Sequence, residues 1–141
     1  MYKRQILAVL EKRFGYRFGK QDVYLNITGG YRLLEPAADL AVVIALISSL
    51  GNYNVPANLA AFGEVGLSGE VRAVPQPEIR MREAAKLGFA EMIMPKQKRQ
   101  KSAKEELNCT ECSDLHPLVQ RFPPTTEDEE EPVHHSQAAF I

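Results

Sequence analysis

The sequence has no apolar run of about 18 residues, the length needed to cross a bilayer as a helix. Its longest apolar stretch, Leu40 to Ile47, is far too short. It shows no secretory signal, so a soluble cytoplasmic protein without membrane contact is expected. No G-x-x-x-x-G-K-[ST] phosphate loop is present, so this stretch by itself is not expected to hydrolyse ATP. Cysteine is scarce. Cys109 and Cys112 stand with His116 like half of a zinc site, but a structural zinc site needs four ligands. His134 and His135 would complete one only by folding back a Pro- and acid-rich segment, so the thiols are read as incidental in a loose tail and no metal is assigned. No internal repeat is evident.

What is present is enough for one core: 141 residues, 45% of them hydrophobic. The net charge of -1 conceals a division, since residues 1–104 sum to +7 and residues 105–141 to -8. A basic body with an acidic tail suits a polyanion partner, although charge bears on association rather than on fold.

Ile6 to Arg13 reads as the end of an amphipathic helix with Ile6, Val9 and Leu10 on one face, stopped at Phe14-Gly15. Asp22 to Thr28 alternates in period two and predicts a half-buried strand with Val23, Leu25 and Ile27 on one face. Gly29-Gly30 turns the chain, and Pro36 opens a helix that is apolar nearly all round and ends near Leu50. The exposed amides at the start of that helix would suit a nucleophile or an anion. Gly51 to Pro56 is a turn cluster. Ala60 to Leu67 and Gly69 to Val74 flank Ser68-Gly69 and suggest a hairpin. Pro77 starts a helix with Ile79, Ala84 and Leu87 inward and Gly88 as its stop, and Phe89 to Met94 reads as a final strand. After Pro95 comes a basic linker, then a short helix around Leu115 to Phe122, then from Pro123 an acidic stretch expected to be disordered.

Five blocks carry a family resemblance: Leu7-Ala-Val-Leu-Glu-Lys-Arg13, Asp22-Val-Tyr-Leu-Asn26, Glu35-Pro-Ala-Ala-Asp-Leu-Ala41, Gly63-Glu-Val-Gly-Leu-Ser-Gly-Glu-Val71 and Glu83-Ala-Ala-Lys-Leu-Gly-Phe89. From about Ile6 to Pro95 the chain resembles the Lon-protease-like C-terminal domain of the bacterial RadA (Sms) DNA repair family. The resemblance implies an α/β (α+β) fold of the ribosomal protein S5 domain 2-like type over residues 6–95. It leaves 1–5 as a non-native leader, 96–122 as a basic linker with a possible short helix, and 123–141 as a disordered acidic tail.

Active Lon proteases use a serine–lysine dyad. The resemblance sets their Pro-Ser-Ala-Gly segment on Pro36-Ala37-Ala38-Asp39 and their lysine on Arg80. Alanine has no nucleophilic atom, and arginine stays protonated at neutral pH. Ser48, Ser49 and Ser68 are read as structural rather than as replacements. Asp39 and Arg80 are expected to pair in the degenerate pocket.

The resembled family is a hexameric, ATP-driven motor on branched DNA, with a zinc module and an ATPase that carry its ATP, magnesium and zinc. The chain is therefore expected to be a fragment that uses none of these cofactors. Its role would be ring assembly and duplex DNA contact through Arg13, Arg17, Lys20, Arg32, Arg72, Lys86, Lys96, Lys98, Arg99 and Lys101. The alternatives are a Lon-type serine peptidase and a purely structural oligomerisation module.

Overall fold

Helix α1 (Tyr2–Phe14) buries Ile6, Val9 and Leu10 along one stripe, as their spacing predicts. Lys12 and Arg13 lie in its last turn, where the negative end of the helix dipole favours cations. Gly15 then takes φ +77°, and the Tyr16 N–H reaches back to the Leu10 carbonyl at 3.2 Å. That closure around a left-handed glycine ends the helix. This computed structural model describes residues 2–18, 35–98, 107–124 and 139–140. The expected strand Asp22–Thr28 and the Gly29-Gly30 turn lie outside the described residues.

A single 3-10 turn, Pro36–Ala38, leads into α2 (Asp39–Leu50). The helix is buried on almost every side, so it sits at the centre of the molecule, as its composition predicts. Ser48 lies fully inside and donates to the Ile44 carbonyl at 2.5 Å, satisfying its hydroxyl within its own helix. Asn52, at φ +60°, turns the chain after it.

Strands β1 (Leu59–Ala61), β4 (Glu91–Pro95), β5 (Asn108–Cys112) and β6 (Ala139–Phe140) form one sheet in the order β5-β4-β1-β6, parallel throughout. Leu59, Ala61, Ile93 and Cys112 join one apolar cluster with α1, α2 and the short α4 (His116–Arg121). Ala60, Phe62, Met92 and Met94 face the opposite cluster, with Met81 and Ala84 of α3 (Pro77–Lys86). With both faces covered, β1 and most of β4 read as apolar runs without alternation.

Three expectations change. Ala60 to Leu67 is not one hairpin arm: β1 enters the main sheet, the chain turns at Gly63 (φ +150°), and a separate β2 (Glu64–Val65) pairs antiparallel with β3 (Val71–Arg72). The turn at Ser68-Gly69 does close that hairpin, with Gly69 at φ +80°. Ile79 and Leu87 are not inward: they are 53% and 62% exposed, and the buried stripe of α3 is Pro77, Met81 and Ala84. Positions i, i+4 and i+7 share a helical face, whereas Ile79 sits two residues off that stripe. Phe89 to Met94 is not the last strand either, because β5 pairs with β4 from Glu91↔Asn108 to Pro95↔Cys112.

The short helix around Leu115 to Phe122 is present as α4. It is tied to α1's end by the Tyr16 hydroxyl, which donates to the Phe122 carbonyl. Ala139–Phe140, within the stretch read as disordered, lies beside β1 in the register Ala60↔Ala139 and Ala61↔Phe140.

Candidate functional site

The start of α2 is where a nucleophile would stand, and there the backbone is already spoken for. The Ala38 N–H donates to the Glu35 carbonyl at 3.1 Å, and the Asp39 N–H donates to that of Pro36. The Leu40 N–H donates to the Gly63 carbonyl at 3.0 Å, while the Gly63 N–H donates to the Ala37 carbonyl at 2.8 Å. Gly63 therefore clasps the turn from both sides. A Cβ there would lie 3.1 Å from Pro95, 3.2 Å from Val71 and 3.3 Å from Leu40, at a positive φ that favours glycine, so any side chain would crowd the clasp. The expectation of free amides for an anion fails at Ala38, Asp39 and Leu40, whose donors are here bonded to carbonyls.

Ala37 is 2% exposed and packs in the apolar cluster of Phe62, Val74, Met81 and Ala84. Arg80 comes to the same place from α3. Its guanidinium lies 5.8 Å from the centre of the Phe62 ring and bonds the Glu35 carboxylate at 2.6 Å, two residues before Ala37. It also donates to the Pro75 carbonyl at 3.1 Å. The two positions that the resemblance pairs are thus brought together across Phe62. The charged partner seen for Arg80 is Glu35 rather than Asp39. Sequence reasoning missed Glu35: it stands within the Glu35-Pro36-Ala37 block, but nothing in that block points to a residue 45 positions away.

Asp39 faces the other way. It is 5% exposed, and its Oδ2 accepts the Val65 N–H at 2.9 Å, pinning β2 to the helix start. Burial raises its pKa to about 6; the Val65 bond pulls it back, and the nearby Glu64 carboxylate pushes it up again. It lines a cavity of about 30 Å³ with Gln5, Ile6, Val9, Val65, Gly66 and Leu67, space for about one water.

The serines weighed as replacements stay apart from this locus. Ser48 is internal to α2, and Ser68 lies in the exposed hairpin turn, its N–H on Glu70 at 3.0 Å. Cys109 and Cys112 are not joined in a disulfide and belong to a strand rather than to a loose tail. Three residues apart on β5, they point to opposite faces of the sheet, Cys112 into one cluster and Cys109 against the other. Two thiols so placed cannot share one ion. The His116 Nδ1 lies 3.0 Å from Asp114. Among the described residues no group of three metal-ligating side chains converges.

The basic candidates divide between the two sides of the sheet. Arg13 donates from α1 to the Leu67 carbonyl at 2.9 Å, and Arg72 bonds Glu70 at 2.8 Å, so both meet the β2–β3 hairpin. Arg72 also has Glu64 at 3.9 Å, which makes its surroundings acidic. Arg17 is exposed beyond α1. Lys86 is exposed at the end of α3 on the opposite face, and Lys96 and Lys98 follow β4. Lys20, Arg32, Arg99 and Lys101 lie outside the described residues. No helix among the described residues is long and apolar enough to cross a membrane.

Residues 2–98 match the family model described as subunit ChlI of Mg-chelatase, and the chain belongs to that family. Within it the chain is related to the DNA repair protein RadA. It is 54% identical over 90 residues to RadA of Brucella abortus (strain 2308), a match covering 64% of this chain and 19% of that protein. It is 51% identical over 92 residues to RadA of Synechocystis, covering 65% and 18%. Against RadA of Haemophilus influenzae it is 47% identical over 102 residues, covering 72% and 22%. The chain thus spans about a fifth of the length of the curated relatives it matches.

Proposed function

We propose that this chain is a non-catalytic, Lon-like domain of a RadA-type DNA repair protein, acting in ring assembly and in contact with duplex DNA. The observation that carries the reading is the start of α2. Ala37 offers a methyl group to an apolar cluster, and the amides beside it are bonded to backbone carbonyls. A serine–lysine route needs an oxygen and a neutral amine there, whereas Arg80 keeps its proton and is held on Glu35. We assign this stretch no ATP, magnesium or zinc; in the resembled family those belong to other parts.

The DNA contact rests on the exposed cations Arg17, Lys86, Lys96 and Lys98. Arg13 and Arg72 contribute less, because both are engaged at the hairpin. Binding through phosphates should weaken with salt, with a log–log slope of about -0.9 per phosphate contacted. A titration of the chain with duplex and branched DNA from low to high salt tests this. Salt-insensitive binding, or none, removes the DNA contact and leaves an oligomerisation module, which sedimentation with and without DNA identifies. Cleavage of unfolded casein that disappears on substituting Ser48, Ser49 or Ser68 would reinstate a peptidase.

A further inference from the structure

The basic stretch after β4 begins as a fixed element rather than as a solvated linker. The Lys96 N–H donates to the Cys112 carbonyl at 3.1 Å, which carries the β4–β5 pairing one residue past Pro95. Gln97 follows, half-buried between two exposed lysines, Lys96 and Lys98. Its side-chain amide meets the backbone of Val74 twice. Oε1 accepts the Val74 N–H at 3.1 Å, and Nε2 donates to the Val74 carbonyl at 2.9 Å. Two bonds exchanged with a single residue are what a strand makes to its antiparallel neighbour, so this side chain does what strand pairing does elsewhere. Val74 is a firm anchor, 6% exposed and packed in the cluster of Phe62, Met81 and Met94. The exposed, half-buried, exposed pattern of residues 96–98 is that of an extended chain. In such a chain alternate side chains share a face, about 6.6 Å apart. Gln97 held inward therefore sets Lys96 and Lys98 outward together.

These two cations differ from the arginines around them. Arg72, Arg80 and Arg121 bond carboxylates at 2.8, 2.6 and 2.6 Å. Neither Lys96 nor Lys98 has an ion pair among the described residues. Two like charges held side by side attract a ligand that carries two negative charges at a similar spacing. We propose that Gln97 is a positioning residue that holds Lys96 and Lys98 as a two-point clip for neighbouring phosphates of one DNA strand. A lysine ammonium is a point charge on a flexible stem, so fixing its backbone supplies the order that the side chain lacks. The inference rests on the reading that the chain contacts duplex DNA, and it gives a neutral side chain the task of setting that contact.

The test compares the full chain, unmodified and as Gln97→Met, which keeps the length of the side chain and every charge but loses both bonds to Val74. Binding to a labelled duplex is followed by anisotropy across a salt series. The variant should bind about three- to tenfold more weakly, with a salt slope shallower by about 0.9, one phosphate contact. A role confined to stability would lower the unfolding midpoint and leave affinity and slope unchanged; that result overturns the clip while duplex binding itself stands. No duplex binding by the unmodified chain overturns both readings. A second measurement needs no variant. Lysine acetylation of the unmodified chain, mapped by mass spectrometry, should slow at Lys96 and Lys98 together as duplex is added. Protection of only one, or of neither, overturns the two-point contact. Inorganic pyrophosphate carries paired phosphates without a strand and should displace the duplex only near millimolar concentration. Displacement at micromolar concentration would assign the clip to a free diphosphate and overturn the proposal.

Discussion

The two faces of the sheet are built differently. On the α1–α2–α4 side the apolar cluster is punctuated by polar atoms, each with a partner: the Tyr16 hydroxyl on Phe122, Ser48 on Ile44, and Asp39 on Val65. On the α3 side the cluster of Ala37, Phe62, Met81, Met92 and Met94 has no charged member, and its cation, Arg80, sits at the rim over Phe62. The turn before α2 feeds both, sending Ala37 to one face and Asp39 to the other. The side that resembles a reaction centre is the one furnished like an ordinary interior. The titratable group is found on the side where none was sought.

The comparison breaks most readily through packing. Ile44→Ala in the first cluster and Phe62→Ala in the second, both fully buried, should each cost about 2–5 kcal/mol in chemical denaturation. If the α3 side is the more tolerant, Phe62→Ala will fall at the low end despite the larger side chain lost.

Asp39 separates the faces by pH. Its folded-state pKa, about 6, lies above the ordinary 3.8, so folding favours the protonated acid. The stabilisation is complete below the unfolded pKa and is lost as pH rises through about 6. Unfolding free energy should therefore fall by about 2–3 kcal/mol from pH 4 to pH 7 on account of this group. Asp39→Asn should flatten that window while leaving the Val65 bond, and an unchanged profile would refute the assignment.

Gly63→Ala is expected to destabilise by about 1–3 kcal/mol, because it strains φ +150° and crowds Pro95, Val71 and Leu40. Ala37→Ser should cost about 1–3 kcal/mol by placing a hydroxyl in the apolar cluster, without producing casein cleavage. The smallest effect belongs to the Arg80–Glu35 pair, whose carboxylate side chain is 53% exposed. A double-mutant cycle should return about 0–1 kcal/mol. The corresponding Arg80–Asp39 cycle, the pairing the sequence favours, should return less.

Elements governed by neighbours in sequence were legible. Gly15 ended α1 where expected, Pro36 began the turn into α2, and His116–Arg121 formed the short helix. The splitting of Ala60–Leu67 was not legible, because a strand and a hairpin arm look alike until their partners are known. Nor was β5: Asn108–Cys112 carries Asn, Thr and Glu because it borders the sheet, and it is a strand only through Met92, Ile93 and Met94. Of the site, the pairing of Ala37 with Arg80 could be read from a family pattern. The Gly63 clasp and the Glu35 partner could not, since both depend on residues far along the chain meeting face to face.

By itself the sequence determined the helices, their ends and the residue types at the start of α2. Capping, periodicity and the chemistry of a side chain are properties of short segments. Only the tertiary structure decided that the helix start is closed by Gly63, that burial raises the pKa of Asp39 to about 6, and that Ile79 and Leu87 face outward. Burial and backbone pairing are relations between distant segments, and no single segment carries them.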